Sequence, residues 1–171
     1  RRFEGLYYPL NQRRQVNTQS AARNSGNNAM KKNYLSFLID SNICAVDISN
    51  ILEVVNFENL TSIPCCEPYI EGMIYSREQG ITVINLRKKF GLPEKEPDKK
   101  TKIIVMEVQK QTDEGERFTL YGLVADQVMD VIFADDEETM PSIKSTIPQQ
   151  NIKSIIKFEE KALIELNFGD L

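Results

Sequence analysis

The chain has 171 residues, 41% of them hydrophobic, and carries 21 basic against 25 acidic side chains. That length suits one ordinary domain or two very small ones packed together, and no run approaches the roughly 18 apolar residues a membrane-spanning helix requires. Histidine is absent, which removes the commonest general base, the usual activator of serine and cysteine nucleophiles, and most zinc sites.

Charge is unevenly spread. Residues 1–29 hold five arginines and one glutamate, leaving 16 basic and 24 acidic residues in 30–171. An acidic body argues against nucleic acid as the main partner. Residues 1–29, rich in Asn, Gln, Ser and Arg, read as a leader, upstream linker or expression-vector segment, with residues 30–171 as the folded unit. Arg1-Arg2 is followed by no apolar stretch, so no signal peptide is expected.

From Met30 the pattern is mostly strands. Tyr34–Ile39 and Ile43–Val46 flank the turn Asp40-Ser41-Asn42, a hairpin signal. Ile48–Leu52 is short enough for a helical turn before a strand at Glu53–Phe57. The proline-bounded stretch Pro64–Pro68 leads into GMIYSREQGITVINL, Gly72–Leu86. Its two β-branched-rich runs, joined by Ser76–Gly80, predict a hairpin with a loop of several residues ending in glycine. Leu86–Phe90 allows a brief helix, which Gly91 and Pro93 stop. Glu94–Lys100 reads as an exposed loop. Strands follow at Ile103–Val108 and Phe118–Ala125, separated by a polar loop at Gln109–Glu116. The last pair is Ser154–Phe158 and Ala162–Leu166, around Glu159-Glu160-Lys161. Many short strands and few helices point to small antiparallel barrels or a sandwich.

Sites of chemistry are scarce. The chain has three cysteines; Cys65 and Cys66 are adjacent, a poor geometry for a mutual bridge, and a reduced, cytoplasmic protein is expected. Without histidine or a second spaced pair they read as buried small side chains rather than metal ligands. Asp135–Glu138 lacks the spaced ligands and glycine of a calcium loop and reads as a solvated acidic loop, as Lys88-Lys89 and Lys99-Lys100 read as solvated. No phosphate loop, GxSxG or HExxH motif is present. No enzyme activity and no cofactor are expected.

The hairpin segment resembles the signature of the CheW family of chemotaxis coupling proteins, with Gly72, Ile74, Arg77, Val83, Ile84 and Leu86 in register. Tyr34–Phe37, Val46 and Ile51–Val54 resemble the family's first strands. Tyr121–Val128 and Ala162–Leu171 resemble its later ones, so the likeness spans about residues 33–171. The sequence looks like that of a divergent member. Tyr75, Ser76 and Glu78 replace the family's Asn, Leu and Gly around Arg77, Gly80 replaces a valine, Thr82 a proline, and Asn85 and Asn167 replace aspartates.

The resemblance implies a mainly β fold of two small five-stranded SH3-like barrels sharing a core. It also implies a non-catalytic adaptor bridging chemoreceptor cytoplasmic tips to the regulatory domain of the histidine kinase CheA. Such a protein is recruited to membrane-associated receptor arrays without inserting into the bilayer. A coupling module of another two-component or motility pathway is the alternative within the fold. A proline-rich-peptide binder is the alternative outside it, although that groove needs an aromatic cluster and tryptophan is absent.

Five residues are candidates for protein binding. Arg77 can pair with a carboxylate on a partner helix while its stem covers apolar surface. Glu53, costly to bury alone, is either the internal partner of Arg77 or a direct contact. Ile51 and Val54 are apolar contacts or core, depending on the face each occupies. Gly72 serves backbone shape first and partner binding second.

Overall fold

The computed structural model describes residues 31–112, 115–135 and 144–169. The segment 1–29 and most of the acidic tract at Asp135–Glu138 lie outside them. Two five-stranded sheets make up the fold. The first combines β1 (Lys31–Ile39), β2 (Asn42–Asp47), β8 (Gln127–Asp135), β9 (Ile152–Phe158) and β10 (Lys161–Leu166) in the order β8-β1-β2-β10-β9. The second holds β3 (Ile51–Asn56), β4 (Ile70–Ser76), β5 (Gln79–Asn85), β6 (Lys102–Thr112) and β7 (Gly115–Ala125) in the order β3-β6-β7-β5-β4. The second sheet is therefore one continuous insertion between β2 and β8 of the first.

Each sheet is antiparallel except for one parallel pair, β2 with β10 and β5 with β7. In each, the two edge strands return toward one another. β8 contacts β9, and the β4–β5 turn is tied to β3 by side chains described below. Closure of this kind removes exposed sheet edges and gives two small SH3-like barrels.

Alternation along the strands produces three apolar clusters. Tyr34, Ala45, Ile132, Ile156 and Leu163 fill the first barrel. Ile74, Ile81, Val83, Ile103, Val105 and Val124 fill the second. The largest cluster takes the opposite faces of both sheets, with Phe37, Cys44 and Ile164 from one and Ile104, Met106 and Leu123 from the other. The two barrels thus share a core, because a strand buried on both faces feeds one barrel with alternate residues and the common centre with those between them. Burial also pushes the Cys44 thiol far above its ordinary pKa, so it behaves as a small hydrophobe. Cys65, by contrast, is exposed.

Two expectations change. Gln109–Thr112 and Gly115–Glu116 are strand rather than loop: β6 and β7 pair from Lys102↔Ala125 to Thr112↔Gly115. Gln109, Gly115 and Glu116 are exposed, and a run of polar residues lacks the apolar alternation that marks a half-buried strand. β8 also extends to Asp135, pairing Val131 with Leu35 and Ile132 with Tyr34. The helical turn predicted before β3 is present as a 3-10 turn at Ile48–Asn50, where Asp47 accepts a hydrogen bond from the Ser49 amide.

Candidate protein-docking site

The hairpin of β4 and β5 closes in two residues, Arg77 and Glu78, both with positive φ (51° and 65°). A two-residue turn with positive φ at both positions matches the twist of the flanking strands. The longer loop expected from the sequence is therefore replaced by a tight turn, and Gly80 lies within β5 opposite Tyr75. Its lack of a side chain serves close approach instead: a Cβ there would collide with the Met73 sulfur.

Three contacts fasten this turn to edge strand β3. The Ser76 hydroxyl donates to Glu53 Oε1, and Arg77 Nε lies 3.8 Å from that same oxygen. Arg77 Nη2 donates to the Leu52 carbonyl at 3.2 Å. The Arg77 and Glu53 side chains keep 29% and 30% of their area exposed. A pair this wet contributes at most about 1 kcal/mol; what it fixes is direction. Arg77 is held at one end of the second barrel with Nη1 unengaged among the described residues, available to a carboxylate.

The other candidates separate. Val54 is 41% exposed on the strand that carries Glu53. Ile51 is half-buried and packs on the shared core, a consequence of the bulge between Ile51 and Glu53 that shifts the faces of β3. Gly72 is buried, with φ +146°, and a Cβ would come within 2.6 Å of the Thr61 carbonyl oxygen. Its place is in the frame of the hairpin rather than on the surface. Tyr75, 77% exposed, lies beside these residues and was not singled out by the sequence.

Sequence reading also missed the clamp between the barrels. Arg87, on the single helical turn α1 (Leu86–Lys89), grips Asp126, between β7 and β8, through Nε at 3.0 Å and Nη2 at 2.8 Å. Asp126 Oδ2 also accepts the backbone N–H of Asp40, in the β1–β2 turn, at 2.7 Å. Arg87 Nη2 lies 3.3 Å from Asp40 Oδ1. An aspartate ending the apolar strand at Leu123-Val124-Ala125 was the available signal, but its partner is 39 residues away.

Lys88 is not simply solvated, as expected, but pairs with Glu71 at 2.9 Å, a hydrogen bond that raises its pKa. Lys89 sits over the Tyr69 ring at 4.4 Å. Asn85 explains one departure from the signature. Its amide donates to Glu71 at 2.6 Å while its oxygen caps α1 by accepting from Lys88 N at 3.1 Å. An aspartate could cap but not donate. Asn167 uses both ends similarly, donating to the Gln150 carbonyl and accepting from Gly169 N.

Beside these residues, between the barrels, lies a cleft of about 270 Å³ whose walls include Asn50, Glu107, Glu165 and Phe168. No cluster of three or more metal-ligating side chains occurs among the described residues, and no helix there is long and apolar enough to cross a membrane.

Comparison with known proteins agrees with this fold. The CheW-like domain family model matches residues 33–171. The chemotaxis protein CheW of Bacillus subtilis is 28% identical over 129 residues, covering 74% of this chain and 78% of that protein. The CheW of Treponema pallidum is 24% identical over 139 residues, 80% of this chain and 79% of that one. Among solved structures, the scaffolding protein TtCheW of Thermoanaerobacter tengcongensis superposes with a TM-score of 0.70 at 28% identity, over 86% of this chain and 91% of that chain. With the family model covering both barrels, the chain belongs to the CheW family.

Proposed function

We propose that this protein is a non-catalytic cytoplasmic adaptor that couples chemoreceptor tips to a CheA-type histidine kinase. The observation that carries the reading is the tethered Arg77. The chain places a guanidinium at a barrel end and steers it with Glu53, Ser76 and the Leu52 carbonyl. Steering without burial is what recognition of a partner carboxylate requires, because a fully paired arginine has nothing left to offer. Family membership and the relatives named for chemotaxis supply the pathway. Val54 and Glu53 would belong to the same surface, with Ile51 and Gly72 supporting it from beneath. Each contact is of modest affinity, and multivalent assembly in an array supplies the strength.

The test is capture of purified protein by a receptor-tip fragment and, separately, by the regulatory domain of the kinase. Both should bind, and Arg77→Ala should weaken receptor capture about tenfold without altering thermal unfolding. If neither partner binds the unmutated protein, the adaptor reading fails.

A further inference from the structure

β6 and β7 outrun their neighbours. β3 pairs with β6 only as far as Ile51↔Met106, and β5 pairs with β7 only from Thr82↔Tyr121 onward. Beyond those points β6 and β7 continue for six more residue pairs, Glu107↔Leu120 to Thr112↔Gly115. Among the described residues no third strand pairs with this part; Val108 still packs into the shared core and Leu120 against the second barrel's interior, and beyond them the pair continues as a two-stranded ribbon. A lone ribbon is marginal in water, and this one exposes 54% of Phe118.

The register says where Phe118 faces. Along β7, residues 118, 120, 122 and 124 share one side. Val124 and Leu120 on that side belong to or pack against the interior of the second barrel. Phe118 therefore continues the barrel's inner face past its end. It is also the end at which Arg77 sits. β5 and β7 run parallel, with Thr82 opposite Tyr121, so Gln79, next to the turn, and Phe118 each lie three residues back from that pair. The ribbon continues from the same end of the second barrel as the Arg77, Ser76 and Glu53 group. Glu107, opposite Leu120 on the same side, adds a carboxylate between the aromatic ring and the barrel.

We infer that the ribbon is a docking arm: Phe118 packs on the apolar stripe of a partner helix whose carboxylate meets Arg77. A surface ordered as aromatic, carboxylate and guanidinium complements an amphipathic helix whose apolar positions are flanked by charges of both signs. Aromatic side chains are the usual anchors of such contacts because they bring large area at low entropic cost. Docking would lay a further apolar surface against Phe118. The inference rests on the receptor reading above and assigns Phe118 as a specificity-determining residue of that surface.

The experiment uses the full chain and a chemoreceptor-tip fragment. Phe118→Ser should weaken capture at least fivefold, Phe118→Leu should retain most of it, and binding of the kinase regulatory domain should be unchanged by either. Amide hydrogen exchange on the unmutated protein should slow in residues 107–112 and 115–120 when the fragment is added, a readout independent of how the variants fold. Unaltered capture by Phe118→Ser, or protection at 75–79 without protection of the ribbon, overturns the arm and leaves the adaptor reading standing. Failure of the fragment to bind the unmutated protein overturns both.

Discussion

Arg87 and Asp126 meet side on, two guanidinium nitrogens against two carboxylate oxygens at 3.0 and 2.8 Å, with only 12% and 15% of the side chains exposed. The contact links α1 of the second barrel to the return strand of the first, and Asp40 adds the β1–β2 turn to it. Removing one member strands the other in a dry place. Asp126→Ala is expected to cost about 2–3 kcal/mol, read as a lower urea midpoint at unchanged slope. Arg87→Lys should recover little, because an ammonium cannot match both oxygens.

Acid should weaken the same junction. A backbone hydrogen bond from Ser41, helped by the Ser41 hydroxyl and by Arg87, holds the Asp40 carboxyl below its ordinary 3.8. The folded value is lower than the unfolded one. The carboxylate therefore contributes stability that is fully present above about pH 4 and is lost as pH falls through the folded value. Urea titrations of the unmutated protein and Asp40→Asn should differ at pH 6 and converge toward about pH 2. A constant difference across that range would sink the assignment.

Gly72→Ala is expected to destabilise by about 2 kcal/mol or more, since the new Cβ would combine a left-handed φ with a clash against the Thr61 carbonyl. Both are backbone constraints, so repacking of neighbouring side chains cannot relieve them. Partner binding by the fraction still folded should be near normal, which separates a framing residue from a contact residue. Denaturant melts and binding isotherms on one preparation give both numbers.

Asn85→Asp restores the residue of the family signature and should nonetheless destabilise this chain. The Asn85 amide donates to Glu71 at 2.6 Å; a carboxylate there would set two anions against each other while keeping only the helix cap. A loss of about 1–2 kcal/mol at pH 7 is expected. The double change Asn85→Asp with Glu71→Gln should recover most of it, which a double-mutant cycle would measure.

The parts legible in the sequence are those where local pattern and tertiary environment agree. β1 and β2 announce themselves through apolar runs around Asp40-Ser41, and the pair β4–β5 through its β-branched runs. The turn between the latter was misjudged because Arg77 and Glu78 rarely adopt positive φ, while Gly80, which does so readily, is spent on making room for Met73. The ribbon was misread because Gln109, Lys110, Gln111 and Thr112 are polar without alternation. The Arg77–Glu53 pairing is among the alternatives the sequence offers because a lone carboxylate in the apolar strand at Glu53 calls for a cationic partner. Arg87–Asp126 was not, since nothing in either local stretch reveals that closure of two sheets will bring them together.

The nesting of one barrel inside the other also sets an order of assembly during synthesis. All of the second barrel lies between Ile51 and Ala125, so it can close as soon as that stretch has left the ribosome. The first barrel cannot: β2 must wait for its parallel partner, since Cys44 pairs with Ile164, which follows the whole second barrel in sequence. Until then the β1–β2 hairpin travels with an unfilled apolar face, and contacts so distant in sequence form slowly. The late-emerging tail is what turns a finished inner module and a waiting hairpin into a single molecule.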